Sequence, residues 1–298
     1  MIANKPLKPP IRLQSPTLFA KPNSNLLAFR PKRKPVTIAI GFVHDEGLLL
    51  CADTKVTGII KANQSKIEHW HNKDRDCSLS FAISSEDLNF PKTAIKKCCA
   101  FVKKMDPKTI TLESVHDAAE FSLAEFYREH IYAHPDRTPG AVFLELLVAI
   151  SVRGEMGLYV SHETVLNPVE IFECVGSGAY LAKYLIGKYS SANPGRLTHA
   201  DAVVISRYAV QSAIDYDQNC GGTIEILNVG VSGVPKRTIG TDWYPTQDFV
   251  SGALDAVLQM THDLANMSAE DHWGEATDKR IDEVAKRLHD LDMNKWNW

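Results

Sequence analysis

The sequence lacks several patterns that would point to particular classes of protein. Its six cysteines include no Cys-x-x-Cys pair and no histidine at zinc-ligand spacing, so we expect reduced thiols and no metal or other cofactor. There is no run of about 18 apolar residues, which excludes a membrane-spanning helix. With 44% apolar and 23% charged residues, the composition is typical of a soluble globular protein, which we expect in the cytoplasm.

The first 36 residues lack acidic side chains altogether. They carry eight lysines and arginines and seven of the fifteen prolines, so the rest of the chain holds a net charge of −11 against −3 for the whole. Such a segment cannot bury enough apolar surface to fold, and we interpret residues 1–36 as a flexible basic extension or propeptide. A transit-like address and a wrongly assigned start are alternatives, whereas the missing apolar core disfavours a secretory signal. Residues 30–34 could resemble a nucleic-acid patch, but we favour a solvated tail and expect neither nucleic acid nor membrane as a partner.

Hydrophobic periodicity predicts groups of strands that alternate with pairs of helices. Thr111 is a candidate N-cap for the second helix, with Ser114 as a rival. This order favours an α+β fold of two antiparallel sheets covered by helix pairs, over residues 37–260. We expect residues 261–298 to form a polar, partly helical C-terminal extension. The predicted strands are 37–43, 48–52, 78–83, 141–152, 156–160, 171–175 and 223–231, and the predicted helices are 91–105, 112–130, 180–189 and 200–215.

Five short motifs follow one another along this domain. Thr37 opens the first predicted strand, and Asp53 closes the second one sixteen residues later. Lys66 then stands between Ser65 and an isoleucine. Further on come a Gly-Ser-Gly turn at 176–178, with Ser177 at its centre, and the segment Asp-Gln-Asn-Cys-Gly-Gly at 217–222. The Gly-Ser-Gly turn is no phosphate loop, because no Gly-Lys-Ser/Thr follows it.

Taken together, these motifs resemble the proteasome β-subunit-like N-terminal-nucleophile (Ntn) hydrolases, a family that includes the bacterial proteasome-like peptidases. The resemblance implies a four-layer αββα sandwich. It also implies a threonine peptidase that works in a homo-oligomeric ring on unfolded proteins or peptides, with an unfoldase or gating partner left open.

The resemblance also implies a role for each matching residue. A threonine hydroxyl is a poor nucleophile without a base beside it, and cleavage before Thr37 would free an α-amine that titrates near about 8. Lys66 would lower the pKa of the amine and of the hydroxyl, and Asp53 would hold Lys66 in place. Ser177 and Asp217 would orient the amine. Each residue also has an ordinary structural interpretation: Thr37 in a strand, Asp53 as a turn cap, Lys66 as a solvated side chain, and Ser177 and Asp217 as turn residues.

Some positions depart from the family pattern and keep two other functions open. Val36 stands where the family has glycine, and its branched side chain would crowd the carbonyl attacked during self-cleavage. Residues 82–86 replace a glycine-rich oxyanion loop, and Cys220 replaces a serine. A non-catalytic structural subunit with an uncut N-terminal extension is therefore one alternative. An Ntn amidase acting on a small substrate is the other, because a fold does not fix its substrate.

Overall fold

The computed structural model describes residues 37–57, 61–85, 87–133, 144–192, 197–230 and 235–239. The predicted basic extension 1–36, the end of the predicted domain at 240–260 and the C-terminal extension 261–298 lie outside these residues. The proposed domain boundaries therefore stay predictions.

The described part of the chain has an α+β fold with three antiparallel sheets and four α-helices. The strands are β1 (Ile38–His44), β2 (Gly47–Asp53), β3 (Lys55–Thr57), β4 (Lys61–Asn63), β5 (Ile67–Asn72), β6 (Cys77–Ser85), β7 (Leu144–Val152), β8 (Glu155–His162), β9 (Val165–Val169), β10 (Phe172–Gly176), β11 (Ile224–Gly230) and β12 (Pro235–Ile239). The helices are α1 (Asn89–Val102), α2 (Leu112–Tyr127), α3 (Ala179–Ala192) and α4 (His199–Tyr216).

Two five-stranded sheets form the centre of the fold. The first, which we call the Thr37 sheet, has the strand order β10-β1-β2-β11-β12, and the second, the Lys66 sheet, has the order β5-β6-β7-β8-β9. Strands β3 and β4 form a separate two-stranded sheet. The predicted pair of antiparallel sheets is thus present, and the small third sheet was not predicted.

Three hydrophobic clusters show how each sheet uses its two faces. One cluster joins α1 and α2 to the Lys66 sheet, and another joins α3 and α4 to the Thr37 sheet. The third cluster contains residues of both five-stranded sheets and none from the helices. Strand β1 shows the reason: successive side chains of a strand point to opposite faces, so Ile38 and Ile40 join the helix-side cluster while Ala39 joins the third cluster.

Helix α2 begins where the sequence predicts it. The Thr111 hydroxyl accepts from the Ser114 backbone N–H at 3.1 Å, and the Ser114 hydroxyl accepts from the Thr111 N–H at 2.9 Å. Thr111 is therefore the N-cap, and its rival Ser114 completes a capping box. In the described part of the chain, no helix is both long enough and apolar enough to cross a membrane.

Strands β3, β4 and β5 lie in a stretch that the sequence presents as polar, between Asp53 and Asn72. Their composition does not indicate strands, because lysine and asparagine, as at positions 61 and 63, are uncommon in strands. Strand β5 is also difficult to recognise in the sequence. Its residue His69 pairs across the sheet with Ser80, and the His69 Nδ1 lies 2.9 Å from the Ser80 hydroxyl oxygen. A polar pair of this kind removes the alternation by which strands are recognised.

Candidate active site

The end of the Thr37 sheet brings two of the predicted site residues together. Strands β1 and β2 are antiparallel neighbours in which Ala39 faces Ala52, so the residue before β1 and the last residue of β2 lie at the same end. These residues are Thr37 and Asp53. The Thr37 hydroxyl donates to Asp53 Oδ1 at 2.7 Å, and the Ile38 N–H donates to the same oxygen at 3.1 Å.

Lys66 reaches this pair from the other five-stranded sheet, where it directly precedes β5. Its ammonium nitrogen lies 2.5 Å from the Thr37 hydroxyl oxygen and 2.7 Å from Asp53 Oδ1. The exposed fraction is 0% for Thr37, 0% for Asp53 and 1% for Lys66. The hydroxyl, the ammonium and the carboxylate thus form one buried cluster.

The charge of Asp53 is compensated on both of its oxygens. Oδ1 accepts the three bonds already described, and Oδ2 accepts from the Gly221 N–H at 2.9 Å. A buried carboxylate is tolerated when it is paired and hydrogen-bonded in this way. Asp53 therefore ties the Thr37 end of β1 to Lys66 and to the segment before β11.

Burial lowers the pKa of Lys66. The charge of Asp53 and its hydrogen bond oppose this effect, while the nearby Lys55 ammonium adds to it. A lysine with a lowered pKa gives up its proton more readily near neutral pH. Lys66 can therefore act either as a charge beside the hydroxyl or as a proton acceptor from it.

Ser177 and Gly178 contact the carbonyl oxygen of Thr37. The Ser177 hydroxyl lies 3.4 Å from this oxygen, and the Gly178 N–H donates to it at 3.3 Å. The oxygen is thereby fixed relative to the turn that links β10 to α3. The structure places Ser177 beside Thr37, and its contact is with the carbonyl group.

Asp217 is joined to the cluster through neighbouring side chains. Its carboxylate accepts from the Asn219 N–H at 2.9 Å and lies 3.7 Å from Cys220 Sγ, which in turn lies 3.9 Å from the Ser177 hydroxyl. Burial acts to raise the pKa of Asp217, but hydrogen bonds from Ser177, Asn219 and Cys220 outweigh it and lower the pKa below its usual value. Asp217 is thus held in its charged form near the Thr37 carbonyl.

Two contacts of the site had no clear signal in the sequence. The Gly221 N–H that donates to Asp53 is a backbone group, so the side chains in the sequence could not predict this contact. Lys55 holds the same segment in place, since its ammonium donates to the carbonyl oxygens of Gln218 at 2.6 Å and Cys220 at 3.1 Å. A basic residue two positions after Asp53 could have suggested this role.

The segment 82–86, considered for the oxyanion, is only partly available. The Ile83 N–H donates to the Lys66 carbonyl oxygen at 2.9 Å, so it cannot bind a substrate. Glu86 lies outside the described residues. Within the described ranges, no group of three or more His, Cys, Asp or Glu side chains is arranged to hold a metal ion.

Gly176 is a position where the site tolerates no side chain. Its φ is +100°, and a Cβ there would lie 2.2 Å from the Thr37 carbonyl oxygen. We expect Gly176→Ala to lower the free energy of unfolding by at least about 1 kcal/mol, because it combines a left-handed backbone with a clash. Urea denaturation followed by circular dichroism measures the change.

Gly187, inside helix α3, is the matched control for this substitution. A Cβ built on Gly187 meets no described atom within 4 Å, and its backbone is helical. Gly187→Ala should raise the free energy of unfolding by about 0.5–1 kcal/mol, since alanine loses less backbone entropy in a helix. Equal effects of the two substitutions would contradict the close approach at Gly176.

Comparisons with known proteins find a likeness in structure only. No family model and no curated protein sequence matches the chain. An Anbu mutant from Hyphomicrobium sp. strain MC1 superposes with a TM-score of 0.63 at 12% identity, covering 79% of this chain and 100% of that one. Anbu from Yersinia bercovieri, described as an ancestral beta-subunit, gives 0.60 at 11% identity, with 78% and 98% covered. The helical assembly of the Anbu complex from Pseudomonas aeruginosa gives 0.59 at 13% identity, with 79% and 100% covered.

These comparisons correct the family assignment made from the sequence. The similar structures are Anbu proteins, so the assignment to the proteasome β-subunit-like family was wrong. The five motifs are short, and they combine turn glycines with buried residues such as Thr37 and Lys66 and partly buried ones such as Ser177 and Asp217. They therefore could not distinguish one protein with this fold from another. At 11–13% identity, what stands is that the chain is similar to Anbu in fold.

Proposed function

We propose that this chain is a peptide-bond hydrolase that uses Thr37 as an N-terminal nucleophile once residues 1–36 have been removed. The observation that supports this most strongly is the buried cluster in which the Thr37 hydroxyl lies 2.5 Å from Lys66 Nζ and 2.7 Å from Asp53 Oδ1. A hydroxyl becomes a useful nucleophile when a base stands beside it and a nearby charge stabilises its anion. Lys66 supplies the charge, and cleavage before Thr37 would supply the base.

In the mature chain, the free α-amine of Thr37 would serve as the base. It takes the hydroxyl proton as Oγ1 attacks the substrate carbonyl, and it returns the proton to the leaving amine as the peptide bond breaks. The product is an ester of Thr37, which water then hydrolyses. The Lys66 ammonium stabilises the developing negative charge on Oγ1, Asp53 holds Lys66, and Ser177 with Asp217 would orient the amine.

In the uncut chain, the Thr37 nitrogen is part of a peptide bond and cannot accept a proton. Lys66 is placed to do so instead, because its pKa is lowered by burial and its nitrogen is in contact with the hydroxyl. Attack of Oγ1 on the Val36 carbonyl would form an ester as the bond from that carbonyl to the Thr37 nitrogen breaks, and the proton taken from the hydroxyl would pass to the freed α-amine. Water would then hydrolyse the ester, which releases residues 1–36 and restores the Thr37 hydroxyl. The branched side chain of Val36 would slow this step.

The proposal includes the four-layer αββα arrangement known from such hydrolases. It is supported by the three hydrophobic clusters, since helices contribute to the two outer clusters and the two sheets share the third. A site between the ends of two sheets is consistent with the position of Lys66, which comes from the opposite sheet to Thr37.

We also propose that the protein assembles into a closed ring of identical subunits that degrades unfolded proteins or peptides. One similar structure is described as a helical assembly of a complex and another as an ancestral beta-subunit, which supports self-association. Light scattering at micromolar concentration should give a mass several times the 33.1 kDa of the chain. A mass near that of one chain would contradict the ring.

A non-catalytic structural subunit is the second candidate, and Val36 is the observation that favours it. The two functions separate in one experiment: purified protein is incubated and its intact mass and N-terminal sequence are determined, together with its hydrolysis of unstructured peptides. Our proposal requires a mature chain that begins at Thr37 and hydrolyses peptides. A chain that keeps residues 1–36 and is inactive would be a structural subunit.

A further inference from the structure

A polar bridge connects the two five-stranded sheets next to the candidate site. It consists of Glu225 in β11, Arg237 in β12 and Ser65, and we call it the Arg237 bridge. Glu225 is fully buried, and its Oε1 lies 2.5 Å from Arg237 Nε and 3.2 Å from the Ser65 hydroxyl. An arginine beside a buried carboxylate offsets the cost of removing that charge from water.

The bridge contacts the chain on both sides of Lys66. Arg237 Nη2 donates to the Ser65 hydroxyl at 2.8 Å and also to the carbonyl oxygen of Ile67. The Ser65 hydroxyl in turn accepts from the Ile67 N–H at 3.2 Å. One guanidinium from the Thr37 sheet therefore fixes the residues that precede and follow Lys66.

The Lys66 backbone is held at a third point by its own sheet. Its carbonyl oxygen accepts from the Ile83 N–H at 2.9 Å. With these anchors, the origin of the long Lys66 side chain is fixed relative to Thr37, although the two residues belong to different sheets. A lysine side chain has several rotatable bonds, so a fixed origin reduces the number of positions its ammonium can occupy.

From these contacts we infer that Arg237 is a positioning residue that holds Lys66 against the Thr37 hydroxyl. Glu225 holds the Arg237 guanidinium in place, and Ser65 connects it to the backbone beside Lys66. The inference rests on the proposed function, in which Lys66 acts on Thr37. It assigns to the edge strand β12 a role in the chemistry, although Arg237 does not touch the reacting hydroxyl. Its effect should pass through Lys66.

The first test compares Arg237→Ala with the wild-type protein in peptide hydrolysis. We expect kcat to fall about tenfold or more while KM changes by less than about twofold, because ground-state binding is untouched and a transition-state contact is weakened. Combining Arg237→Ala with Lys66→Ala should cost little beyond Lys66→Ala alone, since the two act as one unit. A kcat within about twofold of wild type, or fully additive losses, would overturn the inference.

Arg75 provides the matched control. Its guanidinium also binds a backbone carbonyl, that of Met105, through Nε at 3.2 Å and Nη2 at 2.9 Å, and it belongs to the short helical turn at 73–75, away from the cluster. Arg75→Ala should leave kcat within about twofold of wild type, because it loses the same type of contact without touching the Lys66 segment. Equal losses in both variants would mean that Arg237 acts only on general stability.

Arg237→Ala leaves the buried Glu225 without its positively charged partner and could prevent folding. The double variant Glu225→Gln/Arg237→Met removes both charges and keeps the side-chain sizes similar, so it should fold. It still loses the hydrogen bonds from Arg237 to the Ser65 hydroxyl and to the Ile67 carbonyl oxygen. We expect this folded double variant to show the same loss of kcat. A folded double variant with wild-type kcat would refute the positioning role.

A second measurement does not depend on catalysis. In a Thr37→Ala background, the pH-dependent acetylation of Lys66 by acetic anhydride is followed by mass spectrometry, with and without Arg237→Ala. The charged and titratable groups facing Lys66 are Asp53, Lys55 and Cys220. Loss of the bridge should free Lys66 from Asp53 and increase its acetylation several-fold, with Lys97 on α1, which pairs with Glu129, as the internal reference. An unchanged Lys66 would refute the inference, whereas an inactive wild-type protein with a responsive Lys66 would refute the proposed function alone.

Discussion

Thr37→Ala should leave the chain uncut, with residues 1–36 still attached, and should abolish peptide hydrolysis. In the proposed mechanism, the substitution removes the hydroxyl that attacks both the Val36 carbonyl and the substrate, and loss of a nucleophile costs on the order of 10⁶-fold in kcat. Intact mass spectrometry detects the retained segment. Ion exchange gives a second readout, because cleavage removes eight positive charges and takes the net charge from −3 to −11.

Two further variants control this result. Thr37→Ser keeps a hydroxyl and should still be processed. Thr93→Ala removes a threonine hydroxyl from α1, where it donates only to its own helix at Asn89, and should be processed and active like the wild type. Processing or hydrolysis by Thr37→Ala at the wild-type rate would eliminate Thr37 as the nucleophile.

Replacing Lys66 should have the second-largest effect, with a fall of about 10²- to 10⁴-fold in kcat for Lys66→Met. The loss has two sources. Without the ammonium, nothing in the proposed mechanism stabilises the negative charge that develops on Thr37 Oγ1. The uncut chain also loses its proton acceptor, so processing slows as well. Peptide hydrolysis is therefore best measured on a chain produced with Thr37 already at its N-terminus, which separates the two effects.

Stability must be controlled in this experiment, because Asp53 is buried with Lys66. Removing one partner of a buried ion pair costs about 3–5 kcal/mol in the free energy of unfolding. Lys66→Met/Asp53→Asn removes both charges and should recover part of this loss while remaining inactive. Lys92→Ala breaks the partly buried ion pair with Glu68, whose atoms lie 3.0 Å apart, and should change neither stability nor activity. Recovery of activity in the double variant would show that Lys66 has only a structural role.

The predicted strand and helix pairs of the two large sheets agree with the structure to within a few residues, because their apolar periodicity is strong. The strand expected at 78–83 is β6, and the helix expected at 200–215 is α4. Strands β5, β9 and β12 of these sheets were missed, as were β3 and β4. Strand β12 reads Pro-Lys-Arg-Thr-Ile, and each of its residues is exposed or only partly buried. A strand with no buried face shows no alternation of apolar residues.

At the site, side chains could be anticipated but backbone groups and distant partners could not. Thr37, Asp53 and Lys66, which the resemblance singled out, lie in mutual contact, while their catalytic roles stay predictions. The Gly221 N–H on Asp53 depends on the path of the backbone. Arg237 lies 172 residues from Ser65 in the sequence, and only the packing of the two sheets brings the two together.

The complete burial of Thr37 has a consequence for the order of events in the cell. With no exposed surface on this residue, a carbonyl arriving from solvent cannot reach its hydroxyl while the peptide bond to Val36 is intact. Under the proposed function, the freshly synthesised chain would then be a zymogen, in which the Thr37 hydroxyl can reach only the chain's own backbone. Cleavage would convert it once and irreversibly, so the cell would be protected from stray proteolysis during synthesis without needing a separate inhibitor.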